Sequence, residues 1–206
     1  VRSYQLPVAC LLSKSMNVLM FSMDRTLLGE ANQQGDTVER HKLYGERVDR
    51  LFVVVKSPPE YEHLLLSDKV EVYATNSSNH LSLFRAWYGL AESIVSHHKI
   101  DLIIGNGVLT PFALYVAHKF NIPLLSTIHA GSLDNADWHK NFFRKIFTRP
   151  IMLHALKRST NIRVVSEGVK ENLITEGLES KKIAVIPTTF NIEQFAQPNL
   201  CLLYTS

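Results

Sequence analysis

The chain has 206 residues, 46% of them hydrophobic and 20% charged, with a formal net charge of +3. This length and balance are typical of one soluble globular domain with a real core. No run of about 18 apolar residues occurs, which excludes a membrane-spanning helix. The two cysteines, Cys10 and Cys201, lie in the end segments, which excludes a disulfide framework or a cysteine-based zinc site between them and favours a reducing, cytosolic setting.

Both ends of the chain differ from the sequence between them. Met16 directly precedes the first strand pattern, so we expect residues 1–15 to be a non-native or flexible extension. A cleaved signal peptide is the alternative, but the segment lacks a long apolar region and a small-residue cleavage site. We interpret residues 200–206 as a foreign or read-through tail. The predicted domain therefore spans residues 16–199.

Between these ends, short apolar runs alternate with segments of helical periodicity. In chain order the predicted elements are strand Asn17–Ser22, helix Thr37–Val48, strand Arg50–Val55, strand Lys69–Tyr73, helix Leu81–His97, strand Leu102–Ile104, helix Pro111–Phe120, strand Pro123–Ile128, helical region Trp138–Arg158, strand Ile162–Val165, helix Glu167–Glu176 and strand Ile183–Ile186. Repeated strand–helix–strand units require right-handed crossovers. The pattern predicts an α/β fold, with a doubly wound, Rossmann-like parallel sheet and helices on both faces.

Local signals set several of these boundaries. Asp36 and Glu39 are spaced as an N-cap with a capping box, and Ser166 is a second candidate N-cap. Pro150 should interrupt the long helical region or start it anew. Gly177 is placed to end the helix before it.

Ligands of doubly wound sheets bind beyond the carboxyl ends of the strands. The loops at those ends are Met23–Arg25, Lys56–Ser57, Gly105–Gly107, His129–Ser132, Ser166–Glu167 and Pro187–Thr189. Many of their residues are polar or glycine, although loops in general are polar too. Because several such loops face one rim, we expect a common cleft there.

The loop after the first strand argues against two ligand classes. A dinucleotide-binding protein would carry G-x-G-x-x-G here, whereas this chain reads DRTLLG from Asp24 to Gly29. No Walker motif occurs either. The turn Gly105-Asn106-Gly107 allows close backbone approach to a ligand, and a tight turn explains it equally well.

Five segments together resemble a known family. Asn17–Leu28 with Gly35–Arg40 looks like the opening strand and first loop, Ser126–Gly131 like a strand-then-histidine segment, and Arg163–Val169 and Lys182–Phe195 like the closing elements. The chain thus resembles the N-terminal, acceptor-side domain of the family 4 glycosyltransferases, which are retaining enzymes with a GT-B fold.

The resemblance implies a function for the intact protein. Enzymes of this kind place the active site between two Rossmann-like domains, of which the N-terminal one mainly holds the acceptor. We expect a hexosyltransferase that moves a hexose, with retention, from a UDP- or GDP-sugar to a saccharide or lipid-linked acceptor, in cell-envelope polysaccharide biosynthesis. We expect no tightly bound cofactor and no metal, and the chain has no Asp-x-Asp triplet. The missing C-terminal donor domain would leave this fragment inactive alone.

The resemblance also names residues. His129 would be catalytic and would approach the transferred sugar, unless it only caps the following loop. Gly29 and Gly35 would bring backbone N–H groups to the donor diphosphate. The other expected donor-side or substrate residues are Gly105, Asn106, Gly131, Ser166 and Glu167. The expected acceptor-side residues are Asp24, Arg25, Asp36, Arg40, Arg144 and Lys145.

One stretch is strongly basic. Residues 138–163 contain seven Lys or Arg and no Asp or Glu, together with the apolar residues Trp138, Phe142, Phe143, Ile146 and Phe147. Such a segment can lie on an anionic membrane surface, which would make a cytoplasmic protein peripheral at the inner face of the membrane. It can also bind an anionic acceptor, or simply pack its aromatic side chains on the sheet. No nucleic-acid motif accompanies the charge, so we expect no nucleic-acid partner.

Two other functions remain open. The chain could be a free-standing module that binds or recruits an acceptor and pairs with a separate donor-binding chain. It could also be an unrelated Rossmann-like sugar or nucleotide enzyme, which the absence of the glycine fingerprint disfavours.

Overall fold

The computed structural model describes residues 16–30, 36–129 and 149–188. The predicted extension 1–15, the predicted tail 200–206 and the predicted helical residues 138–148 lie outside this part. The strands are β1 (Asn17–Ser22), β2 (Arg50–Val55), β3 (Leu64–Ser67), β4 (Val70–Ala74), β5 (Leu102–Asn106), β6 (Leu124–Ile128), β7 (Asn161–Val164) and β8 (Ile183–Val185). The helices are α1 (Thr37–Glu46), α2 (His80–His97), α3 (Thr110–Phe120), α4 (Arg149–Arg158) and α5 (Glu167–Thr175).

The described strands form one sheet in the order β3-β4-β2-β1-β5-β6-β7-β8. Neighbouring strands are parallel, except that β3 pairs antiparallel with β4. Strands β2, β3 and β4 lie on one side of β1, and strands β5 to β8 follow one another on the other side. The predicted α/β, doubly wound Rossmann-like sheet is therefore confirmed.

The helices lie on both faces of the sheet, because alternate strand residues point to opposite sides. On one face Phe21 and Phe52 pack with side chains of α2 and α3, and further along that face Ile162 and Val164 pack with side chains of α4 and α5. On the other face α1 packs over β2, β3 and β4. Gly45 of α1 lies so close to the sheet that an added Cβ would meet the Val70 side chain at 2.4 Å.

Three local expectations need correction. Strand β3 was not predicted; its sequence, LLLS, does not alternate, and it is held at the edge by pairing with β4. Strand β5 extends two residues further than expected, so Gly105 and Asn106 are strand residues and the turn begins at Gly107, whose φ is +50°. The predicted capping box of α1 is wrong, because the Asp36 side chain makes no capping hydrogen bond.

The charged residues at the start of α1 pair along the helix instead. Asp36 accepts from Arg40 Nη1 at 2.9 Å, and Glu39 binds Lys42 Nζ at 2.8 Å. The capping box that the structure does contain opens α2, where Asn79 and Ser82 bond reciprocally. Two other local predictions are confirmed: Ser166 caps α5 through Val169 N–H, and Pro150 lies in the first turn of α4.

Candidate functional site

The carboxyl ends of β1, β5, β6 and β7 are neighbours at one edge of the sheet. The strand order reverses between β1 and β5, which is where open α/β sheets form a crevice. In register, Asn106 of β5 lies beside Thr127 of β6, which lies beside Arg163 of β7. Residues in register on parallel strands point to the same face. These three polar side chains therefore form a row across the sheet.

His129 is the first residue after β6, two positions beyond Thr127. Its side chain is exposed at the rim of the sheet. Partial desolvation lowers the pKa of His129, and the positive charges of Arg163 and Arg40 lower it further. The imidazole is therefore neutral at neutral pH. In that form it donates one hydrogen bond and accepts another, which suits a hydroxyl group.

Arg163 was not among the site residues expected from sequence, although it belongs to the basic stretch. Its Nε donates to the carbonyl oxygen of Ile186 at 3.0 Å, and its Nη2 donates to Thr188 Oγ1 at 3.4 Å. These contacts fix the guanidinium beside the end of β8. The available signal in the sequence was one arginine among the apolar residues of a predicted strand, in the sequence IRVV.

Asp24, an expected acceptor-side residue, is tied into the loop that follows β1. Its carboxylate accepts from Thr26 N–H at 3.1 Å, and its own N–H donates to Ser22 Oγ at 3.1 Å. Burial acts to raise the pKa of Asp24, but hydrogen bonds from Thr26 and Thr37 outweigh it, so the pKa is lowered. The ionised carboxylate therefore organises this loop and the start of α1.

The two expected acceptor-side arginines near this loop already have carboxylate partners. Arg25 Nε lies 3.0 Å from Glu30 Oε2, and Arg40 pairs with Asp36 while also donating to Thr37 Oγ1 at 3.3 Å. Their charges are thus largely balanced within the domain.

Local structure accounts for the glycines at two of the expected donor-side positions, Gly29 and Gly105. Gly29 has φ +85°, and its N–H donates to Thr26 O at 3.1 Å, so that N–H is already used. A Cβ on Gly105 would lie 2.8 Å from the Cβ of Ala113, so Gly105 permits close packing of α3 on β5.

Asn106 has a bonded amide. Its Nδ2 donates to Phe21 O at 3.1 Å, and its Oδ1 accepts from Thr127 Oγ1. The side chain therefore joins β5 to β1 and β6 at the point where the strand order reverses.

Comparison with known families identifies the protein class. The sequence model of glycosyltransferase family 4 matches residues 46–194, which is well over half of the chain. The chain belongs to glycosyltransferase family 4. The predicted recognition as the N-terminal domain of a GT-B protein of this family is confirmed.

Solved structures similar to this family 4 domain share its fold at low sequence identity. A sucrose-phosphate synthase from Thermosynechococcus elongatus has a TM-score of 0.55 at 15% identity, over 87% of this chain and 92% of that one. Anabaena HepE in complex with UDP and glucose has a TM-score of 0.54 at 16% identity, over 89% and 47%. A UDP-GlcNAc 2-epimerase from Methanocaldococcus jannaschii has a TM-score of 0.53 at 16% identity, over 83% of this chain and 45% of that one.

The family 4 chain therefore spans about half the length of several of the solved proteins that it resembles. A comparison with curated proteins finds no match.

The remaining expected residues of this family 4 domain are dispersed. Ser166 and Glu167 are exposed at the start of α5, beyond the end of β7. Gly35, Gly131, Arg144 and Lys145 lie outside the described residues.

The described members of the basic stretch do not form one surface. Arg149 pairs with Glu176, Lys157 and Arg158 end α4 at the amino edge of the sheet, and Arg163 lies near the carboxyl edge. Within the described ranges, no helix is long and apolar enough to cross a membrane. In the same residues, no three His, Cys, Asp or Glu side chains are grouped so that they could hold a metal ion.

Proposed function

We propose that this chain is the acceptor-binding half of a hexosyltransferase that transfers a hexose, with retention, from a UDP- or GDP-sugar to a saccharide or lipid-linked acceptor. The family match over residues 46–194 carries the proposal. The UDP bound by the similar Anabaena protein supports a nucleotide-sugar donor. In this proposal a C-terminal domain supplies most of the donor site. A cytoplasmic location and a cell-envelope acceptor belong to the same proposal and are based on the family resemblance.

Within this function we assign His129 to the transferred sugar. The residue follows β6 directly, its side chain is exposed at the rim, and its lowered pKa keeps the ring neutral. A neutral imidazole can hydrogen-bond to a hexose hydroxyl without adding a charge that a sugar would not balance. If that hydrogen bond strengthens as the glycosidic bond breaks, it lowers the barrier rather than only improving binding.

Replacing His129 in the two-domain enzyme tests the assignment. With UDP-glucose and GDP-glucose as donors and a labelled acceptor pool, His129→Ala should lower turnover about ten- to a hundredfold, the effect of losing one good hydrogen bond in the transition state. His118→Ala is the matched control, because His118 is also exposed but lies on α3 near the opposite edge of the sheet. His118→Ala should keep full activity.

Two results would contradict the proposal. Equal turnover by the His129→Ala variant and the wild type would remove His129 from the reaction. A product whose anomeric configuration, measured by NMR coupling constants, is inverted relative to the donor would exclude retention. Thermal unfolding of both variants should match the wild type, because neither side chain is buried.

A further inference from the structure

Arg163 occupies a place in the sheet where a charge is unusual. Its neighbours along β7, Ile162 and Val164, are buried against α4 and α5, so the arginine points to the opposite face. On that face the described helix is α1, which packs over β2, β3 and β4. Arg163 thus lies on the same face of the sheet as α1 but on β7, beyond the strands that α1 covers, and below the rim that carries His129.

Arg163 differs in its ion pairing from the other half-buried arginines that the structure describes. Five arginines of the described residues are half-buried: Arg25, Arg40, Arg50, Arg149 and Arg163. The first four each contact a carboxylate. In the part of the chain that the structure describes, Arg163 contacts only a carbonyl and a hydroxyl oxygen. A half-buried guanidinium loses hydration, so an unbalanced one favours binding an anion.

The surrounding charges do not neutralise Arg163. On α1, Arg40 acts on this rim by lowering the pKa of His129, and Arg40 is itself paired with Asp36. Asp24 is held by the hydrogen bonds of its own loop. His129 is neutral and has donor capacity. Arg163 keeps further N–H groups, because a guanidinium has five and the two contacts use two of them.

We propose that the guanidinium of Arg163, at the rim beside His129, binds an oxyanion, either a phosphate or a carboxylate group, that the acceptor carries. The assignment of the anion to the acceptor rests on the proposed function. The acceptor would accordingly be an anionic molecule rather than a neutral sugar.

The alternative source of an oxyanion is the donor diphosphate. Diphosphate sites on α/β sheets use several backbone N–H groups at a glycine turn or a helix start. Here the N–H of Gly29 is bonded to Thr26, and Val169 N–H at the start of α5 is bonded to Ser166. One guanidinium fits a single oxyanion group better than a diphosphate.

The test uses NMR of the imidazole Cε1–Hε1 groups in the full chain, with His129 assigned from the spectrum of His129→Gln. Inorganic phosphate is added at constant ionic strength, so that general screening does not change. Phosphate should move the His129 signal and raise the pH midpoint of His129. Arg163→Gln should weaken phosphate binding about tenfold or more, as expected for a lost charge-assisted hydrogen bond.

Arg158→Gln is the matched control, because Arg158 is exposed, has no carboxylate partner among the described residues and lies at the opposite edge. It should bind phosphate like the wild type. If Arg163→Gln does not fold, Arg163→Lys and the wild-type titration still decide the question. An unmoved His129 signal, or equal phosphate affinity in Arg163→Gln, would overturn the proposal.

Pyrophosphate and UDP provide the second arm of the experiment. If pyrophosphate and UDP bind with an affinity within about tenfold of that of phosphate, the result supports a single-oxyanion site for the acceptor. If either binds much more tightly and still depends on Arg163, the anion belongs to the donor and the acceptor assignment is wrong. The phosphate result does not depend on turnover, so it stands or fails separately from the His129→Ala activity test.

Discussion

Gly105 provides a quantitative test of how the site edge is built. A Cβ placed on Gly105 would lie 2.8 Å from the Cβ of Ala113 and 3.0 Å from the Cα of Thr110. Both atoms are fixed to the backbone of α3, so the helix itself must move away from β5. Overpacking of this kind costs about 1–3 kcal/mol. We therefore expect Gly105→Ala to lower the free energy of unfolding by that amount.

Gly89 is the matched control, because an added Cβ there meets no atom within 4 Å. Gly89 lies inside α2, where replacing glycine by alanine gains about 0.5–1 kcal/mol. Urea unfolding, followed by far-UV circular dichroism, should therefore move the midpoint in opposite directions for the two variants. The melting temperature should change by about 2–4 °C per kcal/mol for a domain of this size.

The packing interpretation of Gly105 would be refuted if Gly105→Ala were as stable as the wild type. In that case the glycine could instead serve the close approach of a substrate, as the sequence first suggested. A Gly105→Ala variant that unfolds at a lower urea concentration, with an unchanged m-value, would show that only packing between α3 and β5 is lost.

Two further predictions concern buried polar groups. Thr127→Val should cost about 1–3 kcal/mol in urea unfolding, because Asn106 Oδ1 loses its donor, and Thr127→Ser should restore most of it. His41 is buried, and burial lowers its pKa below the ordinary 6.5. The folded state therefore binds fewer protons than the unfolded one, and stability should fall as the pH drops below about 6.5. His41→Gln should remove this part of the pH dependence, measured as the difference in urea midpoint between pH 7.5 and 5.5, and an unchanged difference would contradict the assignment.

Most of the fold could be predicted because each buried parallel strand is a short apolar run. Asn17–Ser22 and Arg50–Val55 are confirmed at the predicted bounds. The structure adds β3, whose pairing with β4 is a tertiary effect that local sequence does not encode. It also shows that Asp36 bonds to Arg40 rather than to the first turn of α1, since the two alternatives look alike in sequence.

The candidate site could be predicted only in part. The rule that loops follow the carboxyl ends of parallel strands correctly places His129 at the rim. The rule could not show that Arg163 lies in the same region, because Arg163 is inside a strand. The register between β6 and β7 must be known before its side chain can be placed near these loops. It also could not show that the N–H of Gly29 is bonded within its own turn.

The position of a polar group is therefore a weaker guide to binding than its remaining hydrogen-bonding capacity. Asn106 lies at the reversal of strand order, where a ligand contact is expected, yet its amide is bonded on both sides. A ligand would have to replace such a bond, and the net gain from exchanging one hydrogen bond for another is small. His129 and Arg163 lie one and two strands further along and keep unused donors. We therefore expect substrate contacts of this domain to concentrate over β6 and β7 rather than over the β1–β5 junction.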